Sequence, residues 1–178
     1  MRIRSSVRLW ASFVALAAVG LPGTAAPQGA DRSPAAQQRK GSGLPIPRFA
    51  SLRSDEINVR TGPGPRYPIE WVFKRKSMPV EIVAEFENWR KIRDWQGASG
   101  WVHQSLLSGK RAFIVPAKPA ALHKTPGRSA EVVAKLEPEV VGEIRSPNRD
   151  WCPLRAAGVS GWIERTAMWG VYKSEPIN

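Results

Sequence analysis

The chain carries one cysteine, two histidines and two tyrosines in 178 residues, and each scarcity removes a class of function. With Cys152 alone, no intramolecular disulfide is possible. His103 and His123 have no cluster of cysteines or carboxylates at ligand spacing, so no metal site is expected. Neither histidine forms a recognisable local signature with Cys152, so a Cys–His hydrolase is not expected either. No other polar constellation suited to catalysis is present, and no cofactor is expected. Membrane-length apolar runs are also missing. The one candidate, residues 9–21, is 13 residues long against the ~20 that cross a bilayer. Acidic residues are few, 15 Asp+Glu against 27 Lys+Arg, and the formal charge of +12 predicts an acidic partner.

The short apolar run has a meaning of its own. Arg2, Arg4 and Arg8 precede it and small residues follow it, the pattern of a secretory signal peptide with cleavage between Ala26 and Ala30. No cysteine follows the run to take a lipid anchor. A periplasmic or secreted protein is therefore expected, which disfavours nucleic acid as the partner of the basic charge. Residues 31–48 are small, polar and rich in proline and glycine, and predict a flexible linker.

What the chain has in abundance is turn chemistry and tryptophan: 16 prolines, 15 glycines and 8 tryptophans. Short alternating runs such as "IEWVFK", "VEIVAEF", "WRKIRD" and "RAFIV" are separated by "TGPGPRYP", "KSMP" and "WQGAS", which predicts an all-β protein of short strands. The pattern then repeats. "WRKI" and "GWVH" recur as "WCPL" and "GWIE", so that Val59 matches Leu122, Trp89 matches Trp151 and Trp101 matches Trp162 at nearly constant spacing. This is an internal duplication. The four paired tryptophans are expected in the two cores, and the glycine before Trp101 or Trp162 at a sharp bend or positive φ.

On these motifs the chain resembles a tandem pair of bacterial SH3 domains. The first copy carries "NVRTGPG", a central "WRKI" strand and a closing "GWVHQSLL"; the second keeps "WCPL" and "GWIERTAM" but has "ALHKTPG" for the opening. The resemblance implies two small SH3-like β-barrels, residues 49–115 and 116–175, following the signal peptide (1–30) and linker, with no accompanying catalytic domain. It also implies a binding or targeting role in the cell envelope, with peptidoglycan or its peptide stems as ligand. The alternative is a periplasmic protein–protein adaptor or regulator of a separately encoded enzyme.

Candidate ligand residues concentrate in the first copy. Arg66, Tyr67 and Trp95 lie in or beside turns, where ring faces can receive a sugar or peptide. Lys74, Lys76, Arg90 and Arg93 form one basic face if their two strands are neighbours. Trp71 sits inside an apolar run and is expected in the core, as are Trp89, Trp101 and Cys152. His103 is expected to face solvent.

Overall fold

A computed structural model of the chain describes residues 41–146 and 150–173. The expected signal peptide and residues 31–40 of the linker lie outside the described residues. Among the described residues there are strands and 3-10 turns but no α-helix. No helix among them is long and apolar enough to cross a membrane.

The first copy is a seven-stranded antiparallel sheet built from β1 (Arg48–Leu52), β2 (Ile57–Arg60), β3 (Ile69–Phe73), β4 (Pro79–Phe86), β5 (Trp89–Arg93), β6 (Ser99–His103) and β7 (Leu107–Ser108), in the order β3-β2-β6-β5-β4-β1-β7. Every strand, including both edges, sends a buried apolar side chain into one cluster: Leu52, Val59, Phe73, Val80, Ile92, Val102 and Leu107. A flat sheet could not bring its two edges to one core, so the sheet curls over on itself. Each such side chain stabilises the fold by about 1.5–3 kcal/mol relative to exposure.

The second copy repeats the order with β8 (Ala112–Ile114), β9 (Ala120–His123), β10 (Val132–Leu136), β11 (Val141–Ile144), β12 (Trp151–Ala156) and β13 (Val159–Glu164), arranged β10-β9-β13-β12-β11-β8. Phe113, Leu122, Leu136, Ile144, Leu154 and Ile163 form its core, and Cys152 is buried among them as expected. The all-β, twice-repeated SH3-like architecture is as the sequence implied. One boundary moves. The run containing β8 was expected to close the first copy, but β8 pairs with β11 and so opens the second. Its place corresponds to that of β1, which is why the first copy is already complete at Ser108.

The end of the chain joins the copies. Trp169 pairs with Ile114 through two 2.9 Å backbone hydrogen bonds, and its ring meets Phe49 of β1 edge-on at 4.8 Å. Tyr172 also meets Phe49, its ring tilted at 40° with centroids 4.6 Å apart, and its hydroxyl donates to Glu81 on β4 at 2.7 Å. Residues on both sides of the duplication therefore share one aromatic contact.

Part of the expected linker is docked. Ser42 donates through its backbone N–H and hydroxyl to Glu85, at 2.6 and 2.8 Å, and Arg48 forms an ion pair with the same carboxylate. Arg90 approaches Glu85 from the sheet side at 3.1 Å. Burial pushes the Glu85 carboxyl up, but the hydrogen bonds from Arg48 and Ser42 outweigh it and hold the group below the ordinary glutamate range.

Candidate functional site: an aromatic groove on the first copy

The two "GW" motifs answer to a close approach rather than a bend. Gly100 and Gly161 do not have positive φ. A Cβ on Gly100 would lie 2.5 Å from Val59 Cγ1 and 2.8 Å from the Arg60 carbonyl; on Gly161 it would lie 2.7 Å from the His123 carbonyl. Only glycine lets β6 and β13 lie against β2 and β9. The tryptophans that follow are not core residues. Trp101 lies opposite Lys91 and Arg60, and Trp89 opposite His103, whose ring it meets edge-on at 5.6 Å. Alternation along β5 turns Arg90 and Ile92 inward, which leaves Trp89, Lys91 and Arg93 on the other face. All four paired tryptophans are half-buried there, and the cores are built instead from aliphatic side chains with one phenylalanine each, Phe73 and Phe113. His103 is likewise half-buried, its ring hydrogen-bonded to Ser105 at 2.7 Å.

The expected basic face does not form. β3 and β5 are separated by β2 and β6. Arg90 is only 4% exposed; besides Glu85 it donates to the carbonyls of Glu87 and Trp89 and to Gln104 Oε1. Its charge neutralises an internal carboxylate and is withdrawn from solvent. Arg93 is paired with Glu81 at 2.5 Å. Lys74 and Lys76 are exposed but line different depressions.

One of those depressions collects four aromatic or cationic residues, Trp71, Phe73, Lys74 and Trp95. Trp71, Val72, Phe73 and Lys74 line a groove of about 510 Å³ together with Met78 and with Asp94, Trp95, Gln96 and Ala98. Trp71, expected in the core, is 47% exposed: it lies on the same face as Phe73, across the ladder from Val59, but β3 is an edge strand and leaves its indole half open to solvent. Trp95 is half-buried against that cluster. Its hairpin is rigidly held. The buried Asp94 accepts from the backbone N–H groups of Gln96 and Ala98 at 3.0 and 2.8 Å, and Gly97 supplies the left-handed residue at φ 93°. An apolar floor with two indoles and one ammonium at its rim can hold an extended chain carrying carboxylates.

Tyr67 and Arg66 do not line this groove. Tyr67 folds back onto its own loop, where a Cβ on Gly62 would fall 2.4 Å from its ring, and its carbonyl accepts from Arg60 Nη1 at 2.7 Å. This contact explains the glycine of "TGPG" and leaves the tyrosine 45% exposed beside the site rather than in it. Arg66 is exposed on the same loop.

The second copy keeps the scaffold and alters the chemistry. His123 stands where Arg60 does and donates from Nδ1 to the Ala130 carbonyl at 2.9 Å, as Arg60 does to Tyr67. Its ring also meets Trp151 edge-on at 5.2 Å, which gives it a structural role. Glu164 is held below the usual carboxylate range by a hydrogen bond from the exposed Arg128.

The model of the bacterial SH3 domain matches residues 53–109 and again 117–170. The chain belongs to the bacterial SH3 domain family. Across 125 residues it is 27% identical to YrvJ of Bacillus subtilis (strain 168), described as a candidate N-acetylmuramoyl-L-alanine amidase; the match covers 64% of this chain and 24% of that protein. Among solved structures, NlpC2 of Trichomonas vaginalis is 12% identical over 75% of this chain and 51% of its own, with a TM-score of 0.34. An NlpC/P60 family protein of Bacillus cereus ATCC 10987 is 12% identical over 68% and 55%, with a TM-score of 0.31. This bacterial SH3 protein thus spans about a quarter of its curated relative and about half of those structures.

Proposed function

We propose that this protein is a non-enzymatic binding module of the cell envelope, exported from the cytoplasm, whose first SH3 domain holds the peptide stems of peptidoglycan in the Trp71–Trp95 groove. Membership of a family that also occurs in a candidate wall amidase supports a cell-wall role. The observation that carries the binding reading is the groove itself: two indoles, one of them 47% exposed at a sheet edge, set in fixed positions beside Lys74. Tryptophan is enriched among the few residues that carry most of the energy of a binding interface. A stem peptide is extended, carries carboxylates and presents small aliphatic side chains, matching an apolar groove with an ammonium at its rim.

The test is co-sedimentation of the protein with purified sacculi at low and moderate salt. The wild-type chain is expected to pellet at both, and Trp71→Ala to lose about tenfold in affinity. Binding that vanishes with salt and ignores Trp71 would reduce the function to charge attraction. A second reading, a protein adaptor, draws on β3 as an unpaired edge carrying exposed Ile69, Trp71 and Val72. It predicts no sedimentation with sacculi at all.

A further inference from the structure

The second depression lies between the copies. The turn that holds Arg75, Lys76 and Ser77 forms one side, and Val141, Gly142, Glu143, Arg155, Ala156 and Ala157 form the other, around about 460 Å³ of open space. Both sides are tight turns or ladder positions with fixed backbones. Ser77 and Ala157 take positive φ of 61° and 47°, and the Ser77 N–H is tied to the Leu52 carbonyl at 2.9 Å. Three cations therefore project from two different domains into one space.

None of these cations is neutralised within the fold. Among the described residues the side chains of Arg75, Lys76 and Arg155 form no ion pair or hydrogen bond. Glu143 lies directly across the β11–β12 ladder from Arg155, yet the two make no ion pair there. Where a carboxylate is within reach the protein can pair its cations, as Arg48 and Arg90 do with Glu85 and Arg93 with Glu81. Three cations and one carboxylate thus stand uncommitted around a single cleft to which both copies contribute.

We propose that this cleft is a binding site for a short acidic peptide with a free amino group, formed only by the tandem arrangement. Guanidinium groups of Arg75 and Arg155 suit carboxylates, since their paired N–H donors match two oxygens, and Lys76 adds a third positive contact. Glu143 takes the ammonium. That carboxylate decides the ligand class, because a polyphosphate or phosphodiester chain has no positive group to set against it. The small side chains of Ala156, Ala157 and Gly142 leave room for a peptide backbone between the charges. The site is separate from the Trp71–Trp95 groove and stands whether or not that groove binds the cell wall.

The test is titration of the whole protein with triglutamate at low salt, followed by calorimetry, with N-acetylated triglutamate and inorganic phosphate as comparators. The expected result is weak, salt-sensitive binding of triglutamate. Arg155→Gln and the double change Arg75→Gln, Lys76→Gln should each lower its affinity about three- to tenfold. Glu143→Gln should bring the free and acetylated peptides to equal affinity. All these side chains are exposed, so an unchanged thermal midpoint will show that the variants fold. The proposal is overturned if substitutions on only one side of the cleft matter, if Glu143→Gln leaves the preference for the free amine intact, or if phosphate displaces the peptide at equal concentration.

Discussion

In the first copy Trp71 stands opposite Val59 in the β2–β3 ladder; in the second, the matching place opposite Leu122 holds Ala134. The same replacement recurs around the groove. Lys74, directly after β3, is matched by Glu137 directly after β10, and Tyr67, whose carbonyl accepts from Arg60, is matched by Ala130, whose carbonyl accepts from His123. The hairpin that carries Trp95 shortens to a turn through Ala157 and Gly158. The ladders, the cores and the close-approach glycines persist through all of this. These replacements all fall on one surface, so there the duplication separates the requirements of the fold from those of a ligand.

Inside the sheets the comparison teaches something else. Arg90 and Cys152 occupy the same inward place, facing Val102 and Ile163 across their ladders. A buried cation needs a buried anion, and Glu85 is present for it. The largest effect should therefore come from Glu85→Ala, which strands Arg90 in the interior and releases Arg48 and Ser42. About 3 kcal/mol of stability should be lost in urea unfolding, against about 1 kcal/mol for Cys152→Ala. Acid should act in the same direction. Because folding depresses the Glu85 pKa, its contribution is complete above the ordinary value of 4.5 and disappears as pH falls through the lower folded value. The urea midpoint of the wild type should therefore fall below pH 4.5, and that of Glu85→Gln should fall less.

Close approach is common to both copies and should give matching effects. Gly100→Ala and Gly161→Ala each put a methyl group within 2.8 Å of a carbonyl oxygen, so each should cost about 1–3 kcal/mol. A marked inequality in thermal unfolding would break the claim that the scaffolds are equivalent. The smallest stability changes should be at the edge strands. Trp71→Ala and Ala134→Trp each alter an exposed or half-exposed side chain and should both stay within about 0.5 kcal/mol. Only Trp71→Ala should lower binding to sacculi.

The sequence made the repeat, the strands and the turns legible, because glycine and proline mark chain reversals wherever they fall. It misled about which face was inside. Trp89 and Trp101 were expected in the core on account of their size, yet the alternation "WRKIR" gives Arg90 and Ile92 to one face and Trp89 to the other. Arg90 looked like surface charge because its partner, Glu85, lies across a hairpin and Arg48 lies farther off still. Trp71 looked buried because an edge strand carries the same apolar composition as a central one; only the strand order leaves its indole in the open. Trp95 and Lys74 were identified as site candidates and do share a groove, whereas Arg66, Tyr67, Lys76, Arg90 and Arg93 lie elsewhere. Ser42 and Arg48 seemed part of a linker because their anchor is a single carboxylate far along the chain.

The central claim, that one of two equivalent scaffolds carries the ligand groove, is tested most directly by the indole N–H signals of the seven tryptophans that follow residue 30. A soluble stem peptide would be titrated into isotope-labelled protein, with Trp71 and Trp95 assigned by substitution. The account predicts that those two signals shift together and saturate at one concentration, while Trp151 and Trp162 stay in place. Shifts centred on Trp151 and Trp162, or equal shifts in both copies, would contradict it.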